Sequence, residues 1–367
     1  MKLGRALLIS AVLGIGPAAA SFSATAPDAG AVIPTGSMGM ARAAHAAAPL
    51  PDGRVLIAGG LPGLSSTEFY DLGTGRFVAG PNMSIGRAGH TITLLPTGQV
   101  LIAGGYNGNY LDTAEVFDPK ANRFLPTGKM VRARSGHTAT LLQSGSVLLV
   151  GGVGTGWTFL DDAEVYDPKT GTFSSAGRMT TARESHTVTL LQDGRVLIAG
   201  GHQGRRSAII IYDSAELYDP ASGTLRSAGK MATRRHKHDA VLLADGRALI
   251  TGGSDERDGR GAYRTSEVYD PATESFRAAG DMNLSRYKHQ TTSVLLRDGR
   301  VFLGAGAGRP ELYDPRSQKF ELVENDLGLA IYFATATMLK SGDVLLVGGY
   351  DDSTTPTRKA WIYKYQP

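Results

Sequence analysis

Not one of the 367 residues is cysteine. Disulfides, thiolate metal sites and a cysteine nucleophile are therefore excluded, and stability must come from packing and from closure of the chain on itself. Aromatic residues are few, 7% with two tryptophans, and no apolar stripe at helical spacing persists for three turns, which argues against a helical bundle. Charge of one sign is also scarce. The formal net charge of +4 falls to about +2 without Lys2 and Arg5, too weak a field to draw in nucleic acid, so no nucleic-acid partner is expected. A long hydrophobic run is lacking as well: the apolar stretch at residues 6–15 falls short of the ~20 residues that a membrane span requires.

That stretch follows Lys2 and Arg5 and precedes Ala18, Ala19 and Ala20. A basic start, a short apolar run and a small-residue cleavage site read as a secretory signal peptide over residues 1–24. The expectations are export, to a periplasm or outside the cell, and no membrane span after cleavage.

What is abundant is glycine, 48 residues, and much of it recurs in one phrase. Residues 193–201 read DGRVLIAGG, and versions of it end at Gly60, Gly105, Gly152, Gly201, Gly253, Gly306 and Gly349, the sixth blurred to DGRVFLGAG. A pair such as Asp52-Gly53 or Asp245-Gly246 supplies the positive φ of a tight hairpin, and the apolar run after it reads as a buried strand. The closing glycines leave room for another backbone.

Each unit holds four strand candidates, in the third unit residues 137–142, 146–150, 163–166 and 172–175. Four antiparallel strands at a period of about 50 residues make one blade of a β-propeller, and this overrides the two or three domains that the length alone implies. Residues 32–45 align without gaps to residues 124–137, VIPTGSMGMARAAH against FLPTGKMVRARSGH. The second segment spans the last strand of one unit and the start of the next, so residues 32–35 form a last strand with no unit before it. The C-terminal unit ends after its third strand at residues 361–365. The fold expected is all-β, a seven-bladed propeller over residues 25–367, with the N-terminal strand completing the last blade.

The doubled glycine after an apolar strand, followed by a box such as AEVYDP and then an aromatic residue, resembles the kelch repeat. The tryptophan usual in the last kelch strand is replaced by Phe77, Phe124, Phe173, Leu225, Phe276 and Phe320, which changes packing volume and leaves the pattern intact. The crossings into the blades obey Met-x3-Arg-x2-His, at Met38, Arg42 and His45 and again at Met83, Arg87 and His90. The motif recurs at Met130, Arg134 and His137, at Met179, Arg183 and His186, at Met231, Arg235 and His238, and at Met282, Arg286 and His289. The third strands carry Glu68, Glu115, Glu164, Glu216, Glu267 and Glu311. In the seventh unit the corresponding residues are Leu327, Ile331, Ala334 and Trp361. Arg, His and Glu are lost together, so they are expected to form one buried hydrogen-bonded set per blade, Arg neutralising Glu and His bridging backbone. Resemblance to kelch proteins that bind acidic segments implies a second role, with the six arginines lining the mouth of a pocket.

Strand direction places the crossing loops and the loops after each Gly-Gly on one face, the face that varies. Its unrepeated residues concentrate in blades four to six. Arg205, Arg206, Tyr212, Arg234, His236, Lys237, Arg257, Arg260, Tyr263, Arg264, Tyr287 and Lys288 fit an anionic or polyhydroxyl ligand, and Tyr106, Tyr110 and Trp157 in blades two and three fit sugar or protein contact. His236 and His238 alone make too small a ligand set for a metal. The chain is also similar to the propeller of galactose oxidase, whose copper-radical chemistry requires a cysteine cross-linked to a tyrosine; the absence of cysteine excludes that chemistry. No serine triad is present. The expectation is a non-catalytic recognition propeller with no cofactor, binding a glycan or a protein, and the alternative is a periplasmic kelch-type sugar epimerase or mutarotase, a family with six blades.

Overall fold

The computed structural model describes residues 29–365; the expected signal peptide and its cleavage site lie outside the described residues. Seven four-stranded antiparallel sheets follow one another around a central channel. In blade one, Ala46–Pro49 pairs with Val55–Ala58, which pairs with Thr67–Asp71, which pairs with Arg76–Ala79. The second strand of each blade, such as Val55–Ala58 or Val196–Ala199, is buried at every position. It is covered on both faces because blades stack face to face, and this is why it reads as a continuous apolar run rather than an alternation. First strands such as Thr91–Leu94 are half-buried because one face borders the channel, and fourth strands such as Arg76–Ala79 are largely exposed at the rim.

The core lies between neighbouring blades. Leu148 and Val150 of the third blade pack against Val196, Ile198 and Tyr218 of the fourth, each fully buried aliphatic side chain contributing about 1.5–3 kcal/mol. The ring closes as the chain pattern requires: Ala31–Pro34 pairs antiparallel with Ala360–Lys364 in the seventh blade. The strand begins one residue earlier than expected. Thr35, just beyond it, meets the Tyr70 hydroxyl at 2.9 Å as Thr127 meets Tyr166 at 2.9 Å.

The doubled glycine is the junction between blades. In Gly200-Gly201 the first carbonyl accepts from Arg183 (2.7 Å) and the second N–H donates to the carbonyl of Arg235 (2.9 Å). Both residues have positive φ, and a Cβ on Gly200 would lie 2.6 Å from the Arg235 oxygen, so no larger residue fits without displacing backbone.

Two features are absent from the repeat. The loops after Gly152 and Gly201 rise into small hairpins, Val153–Gly154 with Thr158–Phe159 and His202–Gln203 with Ile210–Ile211. The sixth blade carries two extra residues, Gln290 and Thr291, between His289 and its first strand. The Asp239 carboxylate of blade five holds this insertion by accepting from the N–H groups of Thr291 (3.1 Å), Thr292 (3.0 Å) and Ser293 (2.8 Å).

Candidate functional site

Each crossing arginine is tied up. Nη1 of Arg42 donates to the carbonyls of Gly59 (2.7 Å) and Ser66 (2.8 Å), while Nη2 donates to Glu68 (3.0 Å). Glu68 also accepts from the N–H groups of Gly39 (2.6 Å) and Met40 (3.2 Å). Arg87, Arg134, Arg183, Arg235 and Arg286 repeat this with Glu115, Glu164, Glu216, Glu267 and Glu311. All six arginines are fully buried, so they do not form the ring of ligand-facing guanidinium groups that the resemblance implies.

The histidines correct a second expectation. They stand apart from the Arg–Glu set and link the first strands of successive blades instead. Nε2 of His137 faces the Thr91 hydroxyl (3.1 Å), His186 faces Thr138 (3.0 Å), His238 faces Thr187 (3.0 Å) and His45 faces Thr335 across the closure (3.0 Å). The position in blade one corresponding to Thr91 is Ala46, which offers His90 no hydroxyl. In blade five it is Asp239, spent on the insertion, and His289 turns to the Thr251 carbonyl (3.0 Å). Burial, with the adjacent arginine, pushes His45, His186 and His289 down to about 3.

Two residues stand between each Arg and His, and in blades one to five and seven at least one of them lines the channel mouth. The second always has positive φ: Ala44, Gly89, Gly136, Ser185, Lys237, Lys288 and Phe333, at 50 to 63°. Their backbones form a belt around the channel mouth in which Ala44 donates to Phe333, Phe333 to Lys288, Lys288 to Lys237, Lys237 to Ser185, Gly136 to Gly89 and Gly89 to Ala44. Among the described residues no backbone hydrogen bond joins Ser185 to Gly136. There the Glu184 carboxyl lies over Gly136, so close that a Cβ on the glycine would stand 2.5 Å from Oε1.

The belt opens into a cavity of about 760 Å³. One wall is aromatic: Tyr106 packs on Tyr110 (ring centroids 5.1 Å apart), Tyr110 meets Trp157 edge-on (5.7 Å), and the Arg205 guanidinium lies against Trp157. The next wall is ionisable, with Glu184, His202 and Lys237, and Thr91, Thr138, Thr187 and Thr335 complete the lining, their hydroxyls turned to the buried histidines. Gln290, from the insertion in blade six, crosses to the His186 carbonyl (3.4 Å).

Tyr106, Tyr110, Trp157, Arg205 and Lys237 thus line the cavity. The other expected ligand residues do not. Tyr212 and Tyr263 cover the buried Arg183 and Arg235, Arg257 pairs with Asp255 (2.5 Å) and Arg234 with Glu256 (2.9 Å), and Arg264 donates to the Met282 carbonyl (2.7 Å). Arg206 and Arg260 are exposed outside the cavity. Tyr287 and Lys288 join Tyr332 and Tyr350 beside the belt. His236 is buried, its Nε2 donating to the Asp255 carbonyl (3.3 Å) and its Nδ1 facing Nδ1 of His202 (3.2 Å).

Glu184 was not among the expected residues. Aligning the two positions between Arg and His reveals it: both are small in blades one to three (Ala43-Ala44, Ala88-Gly89, Ser135-Gly136), Glu184 is the first large residue, beside Ser185 in blade four, and both are large from blade five on (His236-Lys237, Tyr287-Lys288, Tyr332-Phe333). Small residues leave room for the aromatic wall, and larger ones supply the facing groups. Burial raises the Glu184 carboxyl to about 7 against the opposing pull of Arg205 and Lys237.

A Kelch motif family model matches residues 96–130 and 133–180. No curated protein matches the sequence. Among solved structures the fold is similar to a fungal alcohol oxidase of the AA5 family in complex with copper, with a TM-score of 0.73 at 16% identity, over 92% of this chain and 76% of that one. The likeness is one of fold. The residues here do not fit that metal: the sequence has no cysteine, no three His, Asp or Glu side chains converge as ligands among the described residues, and the facing nitrogens of His202 and His236 are bound to each other.

Proposed function

We propose, from the premise that the chain is a kelch-repeat β-propeller, that it is an exported recognition module that takes a glycan at the mouth of its central channel without turning it over. The observation that carries this reading is the wall of Tyr106, Tyr110 and Trp157 facing polar groups across a cavity of about 760 Å³. Aromatic faces meet the apolar faces of sugar rings, while hydroxyls and charged groups at fixed positions choose among them. Pockets of ~300–1,000 Å³ suit ligands of a few rings. Seven blades do not favour the six-bladed epimerase reading.

The test is calorimetric titration of residues 25–367 with neutral and acidic oligosaccharides, alongside Trp157→Ala and Tyr110→Ala. Binding weakened at least tenfold by either variant, with the saccharide recovered intact, supports the reading; product formation or unchanged affinity overturns it. Export rests on residues 1–24 and is checked by N-terminal sequencing of protein recovered outside the cytoplasm. An uncleaved, cytoplasmic product would remove it.

A protein ligand is the second reading, favoured by large apolar side chains on the same rim. Leu61, Tyr106, Trp157 and Ile210, one from each of blades one to four, are 38–52% exposed. Such residues anchor protein contacts. Substituting Ile210, which does not line the cavity, separates the two readings, because a channel-bound glycan does not reach it.

A further inference from the structure

The hydrogen-bond chain behind the ionisable wall has a fixed direction. The Asp255 carbonyl only accepts, so Nε2 of His236 carries a proton. In the neutral ring Nδ1 of His236 is then an acceptor, and the proton between the two imidazoles belongs to Nδ1 of His202, 3.2 Å away. Nε2 of His202 is left with a lone pair. It faces Oε2 of Glu184 at 3.7 Å, and a lone pair facing a carboxylate is unfavourable unless one proton lies between them. The Glu184 side chain is one-quarter exposed, toward the channel, and it makes no hydrogen bond to a donor among the described residues.

We propose that Glu184 carries a proton toward His202 in the channel wall, and that with Arg205 it forms a subsite for the carboxylate of an acidic sugar, which binds while Glu184 holds that proton. The inference rests on the glycan reading of the channel mouth. A sugar ring held on Tyr106 and Tyr110 brings an attached carboxylate to the side where Arg205 stands. That guanidinium is engaged by the Trp157 ring and by no salt bridge among the described residues, leaving its N–H edges for bidentate contact with a carboxylate. Lys237 is already committed to Asp258 (2.8 Å), which also meets Lys288 (3.4 Å). The groups facing Glu184 are therefore Arg205 from the hairpin of blade four, Lys237 from the crossing into blade five, His202 behind it and the Tyr110 hydroxyl from blade two. An ionised Glu184 competes with the ligand for Arg205; a protonated one does not.

The sign of the coupling follows. With the carboxyl near 7 in the free protein, affinity is full below that pH and falls as pH rises through it, by up to about tenfold per unit, one proton being linked to one ligand. Burial keeps the His202 ring low, to about 3, so it remains the acceptor over this range.

The experiment is calorimetric titration with digalacturonate, its dimethyl ester and digalactose at pH 5.5, 7 and 8.5, in two buffers of different ionisation heat, for the wild type and Glu184→Gln. A carbon NMR titration of the Glu184 carboxyl in the free protein accompanies it. The expected result is binding of digalacturonate with proton uptake, weakening by about tenfold or more between pH 7 and 8.5, a flat pH profile in Glu184→Gln, and a carboxyl midpoint near 7. Digalacturonate bound with no pH dependence, digalactose bound as well as the acid, or a Glu184 midpoint in the ordinary carboxylate range each overturns the inference and leaves the glycan reading standing. Failure of all three saccharides overturns both.

Discussion

Blade seven and blades one to six fill the same position in opposite ways. In six blades the space between crossing loop and third strand holds a buried guanidinium and a carboxylate, with an imidazole on the channel side. In the seventh, Ile331 and Trp361 stand in the places of Arg and Glu and Ala334 in that of His, and they pack with Leu327, Val32 and Leu346 in one apolar cluster. The backbone does not register the exchange: Gly306 donates to the carbonyl of Ile331 at 2.9 Å as Gly152 donates to that of Arg183 at 2.9 Å. The ion pair is therefore one of two solutions to the same packing problem. What the polar solution adds is dependence on pH and on the integrity of every member.

The pH dependence is the largest expected effect. His45, His90, His186 and His289 are held by burial at about 3, and His137 and His238 well below the usual imidazole value. A folded pKa below the unfolded one gives stability that is present above the unfolded value of ~6.5 and lost as pH falls toward the folded value. Each such histidine costs about 1.4 kcal/mol per pH unit within that window, so six acting together remove several kcal/mol per unit. Urea denaturation at a series of pH values is expected to show steep loss of stability between pH 6.5 and 4.5. His289→Ala, which gives blade six the residue type of blade seven, should make the slope shallower by one proton.

The next effect breaks a single pair. Glu311 and Arg286 are both fully buried, and Glu311 is the one carboxylate on that guanidinium among the described residues. Glu311→Gln leaves a buried charge without its counter-ion and is expected to cost about 3–5 kcal/mol. Glu164→Gln should cost less, because Asp162 also pairs with Arg134 (2.5 Å). Copying blade seven sharpens the comparison: Arg286→Ile, His289→Ala and Glu311→Trp together should cost less than Glu311→Gln alone, since an apolar set replaces the ion pair and leaves no charge buried alone, only the N–H groups of Asn283 and Leu284 without their acceptor. A triple variant less stable than the single one in urea melts would show that the pair contributes more than the hydrophobic alternative.

The repeat made the scaffold legible. Seven copies of one phrase define the blades, the match of residues 32–45 to residues 124–137 fixes the closure, and the joint loss of Arg, His and Glu in the seventh unit points to their shared burial. The site was less legible because its residues sit where the copies differ. Reading exposed charge on long loops selected Arg257, Arg234 and Arg264, whose partners Asp255, Glu256 and the Met282 carbonyl are local and leave them no ligand to seek. It missed Glu184 and the insertion at Gln290, which show only when the crossings and their spacing to the next strand are compared copy by copy, and whose surroundings, Arg205 and Asp239, lie outside their own segments.

Two Glu→Gln substitutions with opposite signs turn the comparison into one measurement. Glu311 has a guanidinium and the N–H groups of Asn283 (2.8 Å) and Leu284 (3.0 Å) as partners, and its removal destabilises. Glu184, a quarter exposed to the channel, accepts no hydrogen bond from a donor among the described residues, and its carboxyl is raised by burial from 4.5 to about 7. A folded pKa above the unfolded one means stability that is present below about 4.5 and lost as pH rises through 7, so at pH 8 the ionised side chain is a net cost. Glu184→Gln should therefore stabilise the protein at pH 8 by on the order of 1–2 kcal/mol and change it little at pH 5. Paired urea melts of wild type and variant at the two pH values cancel the histidine contribution, which both proteins share. A gain at pH 8 alone identifies a carboxylate retained at a cost to the fold; an equal loss at both pH values would place Glu184 with Glu311 among the groups that hold the ring together.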